Sequence, residues 1–199
     1  MIILLDAGHG IETPGKCSPD KKLKEYKYCR EIMNAVYDEF DRIGYTVYKI
    51  PENDQDMSLY KRCVKVNNIC SKFGTNNCIL ISIHCNAAGD GTKWLNGTGF
   101  EVWTSKGKTK SDILAECFYK NAQTILKGVR LRKDTSDGDS DKESNFYILK
   151  NTRCPAVLTE NLFMDNKNDV EYLLSDKGKE SIINLHIQSI LDYINMTKK

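Results

Sequence analysis

The chain has 199 residues, enough for one well-buried core and short for two, so residues 1–199 are read as a single domain. Lysine plus arginine number 29 against 27 for aspartate plus glutamate, which leaves no broad basic face of the kind nucleic-acid binding needs. No stretch approaches the ~18 apolar residues of a membrane span, and no basic n-region with an apolar h-region precedes the first core residues. The sequence is therefore read as a product without membrane insertion or an export signal.

Ile2 to Gly10, IILLDAGHG, opens the chain with a buried strand that stops at a turn and leaves one imidazole, His9, between two flexible glycines. After a Pro/Gly loop, Glu25 to Ile43 sets Tyr28, Ile32, Val36 and Phe40 at helical spacing, with Gly44 as the C-terminal cap. Thr46 to Ile50 alternates as a strand. Ser58 then caps a helix with Leu59, Cys63, Val66, Cys70 and Phe73 on one stripe, closed by Gly74. Cys78 to His84, CILISIH, is apolar enough for a strand covered on both faces, and it too terminates at a histidine.

Phe100 to Thr104 reads as a further strand and Ser111 to Lys127 as a capped amphipathic helix ahead of Gly128. Two more strands are expected, Phe146 to Lys150 and Ala156 to Glu160. The tail predicts a short helix near Asp169 to Leu174 and a longer one carrying Ile182, Leu185, Gln188 or Ser189, Ile190 and Ile194. Strands alternating with helices predict an α/β fold: a mixed, mostly parallel sheet of about six strands with helices on both faces. Ligands of such sheets lie beyond the carboxyl ends of strands, and His9, His84 and Glu160 all fall at expected ends.

Catalytic zinc takes three protein ligands and keeps a fourth position open, with two histidines and a carboxylate a frequent set. His9 and His84 supply two. Glu25 is a candidate third because it opens the first helix directly after the loop leaving His9; an acid that merely complements the helix dipole would look the same. Glu160 closes the apolar run PAVLT, where poor hydration raises a carboxylate's pKa toward the range of a general base; an exposed acid at a strand's end is the alternative.

The ordered motifs DAGHG at 6 to 10, KEY around Glu25, SLYKR at 58 to 62, SIHCNA at 82 to 87, GTGFEVW at 97 to 103, FYILKNTRCPAVLTENLF at 146 to 163 and the following DNKNDVEYL span nearly the whole chain. In this order they resemble the zinc-dependent N-acetylmuramoyl-L-alanine amidases, the catalytic-domain family of bacterial autolysins and phage endolysins. The resemblance implies a hydrolase of the amide between the lactyl group of N-acetylmuramic acid and L-alanine in peptidoglycan. It implies one Zn2+ held by His9, Glu25 and His84, with Glu160 as the catalytic acid and base. It also implies action at the cell wall after accumulation in the cytoplasm, or secretion if a leader has been removed. None of the wall-binding repeats often appended to such enzymes is visible. The family often has glycine two residues after the catalytic glutamate, where this chain has Leu162. A wall-binding module without catalysis, or a zinc amidohydrolase of a small soluble amide, are the competing readings.

Other features read as structural. The eight cysteines contain no Cys-x-x-Cys pair and are expected to be reduced and mostly in the core. Cys85 follows His84 directly, so the two side chains leave opposite faces of a strand and cannot form a dyad. His186 is expected on a helix surface or at the core margin. The DGDSDKES loop from Asp137 lacks the glycine and glutamate of a calcium loop and reads as a solvated acidic loop. The glycine-rich segment Gly89 to Gly99, with Trp94, is placed either to border a substrate groove or to pack.

Overall fold

A computed structural model describes residues 1–197. Six strands form one sheet: β1 (Ile2–Ala7), β2 (Val47–Ile50), β3 (Cys78–Asn86), β4 (Glu101–Thr104), β5 (Lys142–Glu143) and β6 (Ala156–Phe163), in the order β2-β1-β3-β6-β4-β5. The β4–β6 pair is antiparallel and the others are parallel, as the strand and helix alternation leads one to expect. Around it pack α1 (Glu25–Arg42), α2 (Leu59–Phe73), α3 (Lys110–Ile125), α4 (Tyr147–Lys150), α5 (Lys167–Leu174) and α6 (Asp176–Thr197).

The period of two in the strands divides the core. Ile3 and Leu5 of β1, Ile79, Ile81 and Ile83 of β3, and Val157 of β6 face the layer of α1, α3, α5 and α6. Leu4, Leu80 and Leu158 face a thinner layer built from Cys63, Val66 and Cys70 of α2 and Ile148 and Leu149 of α4. Polar side chains continue this second face toward the strands' carboxyl ends, and the candidate site grows out of it. Among the described residues no helix is long and apolar enough to cross a membrane.

Three expectations are corrected. Phe146 to Lys150 is not a strand: Tyr147–Lys150 forms one helical turn, with the Leu149 and Lys150 amides donating to Phe146 O at 3.1 and 2.9 Å. A four-residue apolar run has no periodicity to separate strand from helix, and here Asn151 Nδ2 and Thr152 Oγ1 donate to the turn's carbonyls. The sixth strand lies instead in the acidic loop, where Lys142 and Glu143 pair with Trp103 and Thr104. That loop is less solvated than expected, since Asp141 is buried and accepts from Thr104 Oγ1 at 2.5 Å. Finally, α3 is capped by Thr109, which forms a capping box with Asp112, while Ser111 Oγ accepts from the Ala156 amide.

His186 also departs from expectation, because it is fully buried on α6. Its Nδ1 lies 2.8 Å from Ile182 O and its Nε2 3.0 Å from Thr159 Oγ1, so both ring nitrogens are satisfied by a neutral imidazole. Burial pushes its pKa down to about 4. The unfolded chain, with histidine near 6.5, therefore binds more protons between pH 6.5 and 4, and stability contributed by His186 is lost as pH falls through that window. In urea unfolding, moving from pH 7 to pH 5 is expected to cost the native chain about 2 kcal/mol more than it costs His186→Gln. Equal pH dependence of the two proteins would contradict this reading.

Candidate metal centre and active site

β1 ends at Ala7, and the Gly8 amide still donates to Ile83 O at 3.0 Å before the chain turns away at His9. His9 itself takes the left-handed conformation, φ 58°. Its neighbouring glycines are needed for space. A Cβ on Gly8 would lie 2.4 Å from the His84 ring, and one on Gly10 would lie 2.2 Å from the Asp56 amide nitrogen.

His84 and Glu160 are not at strand ends as expected; β3 runs on to Asn86 and β6 to Phe163. The two residues are register partners on adjacent parallel strands, and Glu160 is in turn the partner of Glu101 on β4. The three therefore form one row on the face covered by α2 and α4. Immediately beyond it the ladder shifts, so that Asn86 pairs with Phe163 and β6 carries an extra residue. Leu162, at the position where relatives of the resembled family often carry glycine, has φ 62°, the conformation a glycine adopts most easily.

Glu25 is the first residue of α1 and is 1% exposed. Its Oε1 lies 3.1 Å from His84 Nδ1 and accepts from the Cys85 amide at 3.1 Å. Its Oε2 lies 3.4 Å from His9 Nε2 and is buried with no hydrogen-bond partner among the described residues. The two imidazoles meet edge to face, centroids 5.2 Å apart. Among the described residues, His9, Glu25 and His84 are the group of three or more His, Cys, Asp or Glu donors that could hold a metal ion, with donor atoms within 4.8 Å of one another. Ligands about 2.0–2.2 Å from a tetrahedral zinc stand roughly 3.4 Å apart, so the donor spacing and the orphaned Oε2 both suit such an ion.

Electrostatics point the same way. Burial pushes the His9 pKa down to about 4, so the ring is neutral at neutral pH and keeps a lone pair to offer. Burial also opposes charge on Glu25, but the hydrogen bond and charge of His84 outweigh it and hold the carboxyl below its ordinary value. For His84 the penalty of burial is outweighed by Glu25, which raises it. Glu160 behaves oppositely: burial, reinforced by Glu25 and Glu101 and opposed by His84, pushes it up to about 8. Its Oε2 has no hydrogen-bond partner among the described residues.

His9, His84 and Glu160 line a groove of about 470 Å³ together with Met57, Leu59 and Arg62 at the α2 entry, Phe146 just before α4, and Tyr147 and Ile148 within it. Trp94 does not border it; that side chain faces a separate surface hollow beside Asp20, Lys22 and Lys167. The larger cavity of about 960 Å³, between α3, α6 and the 135–140 loop, contains none of the predicted site residues. Cys85 is buried in the opposite core layer, as the strand period requires. Motif reading gave no role to Asp6, Arg30, Arg62 or Glu101. Glu101 is buried and bonded to Arg132, Lys142, Asn86 and Trp103 beside Glu160. Buried charges inside the motifs DAGHG, SLYKR and GTGFEVW were the available signal.

Comparison with known proteins bears on the family and the fold. An N-acetylmuramoyl-L-alanine amidase from Bacillus licheniformis, CwlM, is 30% identical across 98% of this chain and 70% of its own length. An endolysin of Bacillus phage SPP1 is 27% identical across 100% of this chain and 68% of its own. The crystal structure of an N-acetylmuramoyl-L-alanine amidase from Clostridium difficile 630 superposes with a TM-score of 0.83 over 98% of this chain and 97% of that one, at 23% identity, and so shares the fold. With the family's sequence model matching residues 3–192, the chain belongs to the N-acetylmuramoyl-L-alanine amidase family and is a peptidoglycan amidase.

Proposed function

We propose that the amidase is zinc-dependent, with His9, Glu25 and His84 holding one Zn2+ and Glu160 serving as catalytic acid and base. The observation that carries the reading is the buried, unpartnered Glu25 Oε2 at 3.4 Å from His9 Nε2. A carboxylate oxygen left without a partner in a protein interior is costly unless a cation meets it. Bound there, the ion supplies Lewis acidity, acidifying a water and polarising an amide carbonyl.

The remaining chemistry falls to the chain. Glu160, whose pKa burial pushes up to about 8, takes in its carboxylate form the proton released as water adds to the carbonyl of the lactyl group. It returns that proton to the alanine nitrogen as the carbon–nitrogen bond breaks, which restores the carboxylate. The products are a free lactyl carboxylate and an L-alanine amino terminus. The groove wall of Leu59, Phe146 and Tyr147 shields the reacting bond from bulk water on one side. The chain is read as one catalytic unit, supported by its single sheet, and as acting on the wall in the manner of an endolysin, supported by its likeness to the phage protein.

Digestion of purified cell walls is expected to release new L-alanine amino termini and no new reducing sugar ends; reducing ends, or turnover of soluble acyl-amino acids alone, would contradict the assignment. Glu160→Gln should lower the rate by about 10²- to 10⁴-fold while wall binding survives, and a variant retaining full activity removes Glu160 from the mechanism. Zinc content and activity should fall together on chelation and in Gly8→Ala, whose added methyl collides with the His84 ring. Full activity in metal-free protein would overturn the zinc assignment.

A further inference from the structure

We propose that Arg30 and Arg62 are positioning residues that hold His9 in the geometry a metal needs, acting through its backbone and not its ring. The inference rests on the reading of His9 as a ligand. A left-handed conformation at a residue with a Cβ costs roughly 1–2 kcal/mol, so something must hold His9 at φ 58°. The ring does not hold it firmly: among the described residues its ion-pair contact is the Glu25 oxygen at 3.4 Å, and it meets the His84 ring edge to face.

The carbonyls of the turn are gripped instead. Arg62 Nη1 donates to Ala7 O at 2.5 Å, Arg30 Nη1 to Gly8 O at 3.3 Å, and the His9 carbonyl accepts from both, Arg30 Nη2 at 2.8 Å and Arg62 Nη2 at 3.2 Å. Three successive carbonyls thus point at two guanidinium groups. Both arginines are nearly buried, at 5% and 2% exposure, and both are tied down at their other donors. Arg30 donates further to Tyr26 O, Asn53 O and Gln55 O. Arg62 Nε donates to Met57 O, while its Nη1 meets Asp6 Oδ1 at 2.6 Å and its Nη2 meets Asp56 Oδ1 at 3.3 Å. Asp6 Oδ2 accepts in turn from Ser82 Oγ on β3 at 2.5 Å. The clamp ties α1, α2 and two central strands to one turn.

Charge alone would have the opposite effect. Two guanidinium cations behind a site for a dication repel it, and the carboxylates paired with them, buried Asp6 and exposed Asp54 and Asp56, screen that field, so removing one cation would leave the surroundings more negative. If the arginines acted as charges, neutralising one would tighten metal binding; if they act as a clamp, it must weaken it. Lysine keeps the charge but lacks the planar fork that grips two carbonyls at once, so it should fail as glutamine does.

The test is zinc affinity, measured by competition with a chromophoric chelator, together with the visible absorption of the cobalt-substituted protein. Arg30→Lys and Arg30→Gln are each expected to weaken zinc binding about 10- to 100-fold and to alter the cobalt spectrum. In a His9→Ala background Arg30→Gln should produce less than about a twofold further loss, because the residue it positions is gone. Native affinity in Arg30→Lys, tighter binding in Arg30→Gln, or an undiminished loss in the His9→Ala background would each overturn the proposal. Arg62→Lys repeats the test on the second arm, and the Arg30 series decides the matter if that variant does not fold. Failure of the native chain to bind zinc at one ion per chain would instead refute the metal reading and this inference with it, whereas native binding with unaffected variants refutes this inference alone.

Discussion

The site is organised by the burial of one carboxylate. Glu25 is 1% exposed, and a carboxylate so placed must find partners or take up a proton. One oxygen does find them, in His84 and the Cys85 amide; the other faces His9 with nothing to accept. Every other feature of the centre follows from bringing three polar groups to that point: a helix that starts on Glu25, a strand that delivers His84, and a turn that must bend His9 back toward both.

The α/β layering makes this convergence affordable in structural terms. Parallel strands β1, β3 and β6 present equivalent depths at their carboxyl ends, so Asp6 and Ser82 share one rung and His84 and Glu160 the next. The rung beneath Asp6 and Ser82 is apolar, with Leu4 and Leu80 under α2 and α4, Leu158 shares the rung of Ser82, and the polarity rises toward the groove. Low local dielectric then separates two carboxylates by task. Glu25, beside two imidazoles, stays charged, while Glu160, beside two other carboxylates, is pushed up to about 8. Surroundings, more than residue type, assign ligand and acid–base roles in the proposed mechanism.

Much of this was legible in the sequence, for identifiable reasons. Buried parallel strands announce themselves as apolar runs, so IILL, CILISI and PAVLT located β1, β3 and β6, and His9, His84 and Glu160, beyond or at the ends of those runs, marked the working edge. Glu25 stood out by adjacency to a helix start. What stayed hidden depends on distance in sequence. The carbonyl grip of Arg30 and Arg62 joins residues 21 to 55 positions apart and has no periodic trace. The helical turn at Tyr147–Lys150 was masked by a run too short to show a period, and the edge strand at Lys142–Glu143 by its polar, two-residue length. His186 resembled a surface histidine because its partners, Ile182 O and Thr159 Oγ1, are a backbone group and a residue of another element.

The central claim, that three residues converge to hold one metal ion, is tested most directly by anomalous diffraction at the zinc edge from crystals grown with one equivalent of zinc. A single anomalous peak is expected within bonding distance of His9 Nε2, a Glu25 carboxylate oxygen and His84 Nδ1. No peak there, or a peak confined to the acidic hollow between α3 and α6, would contradict the account.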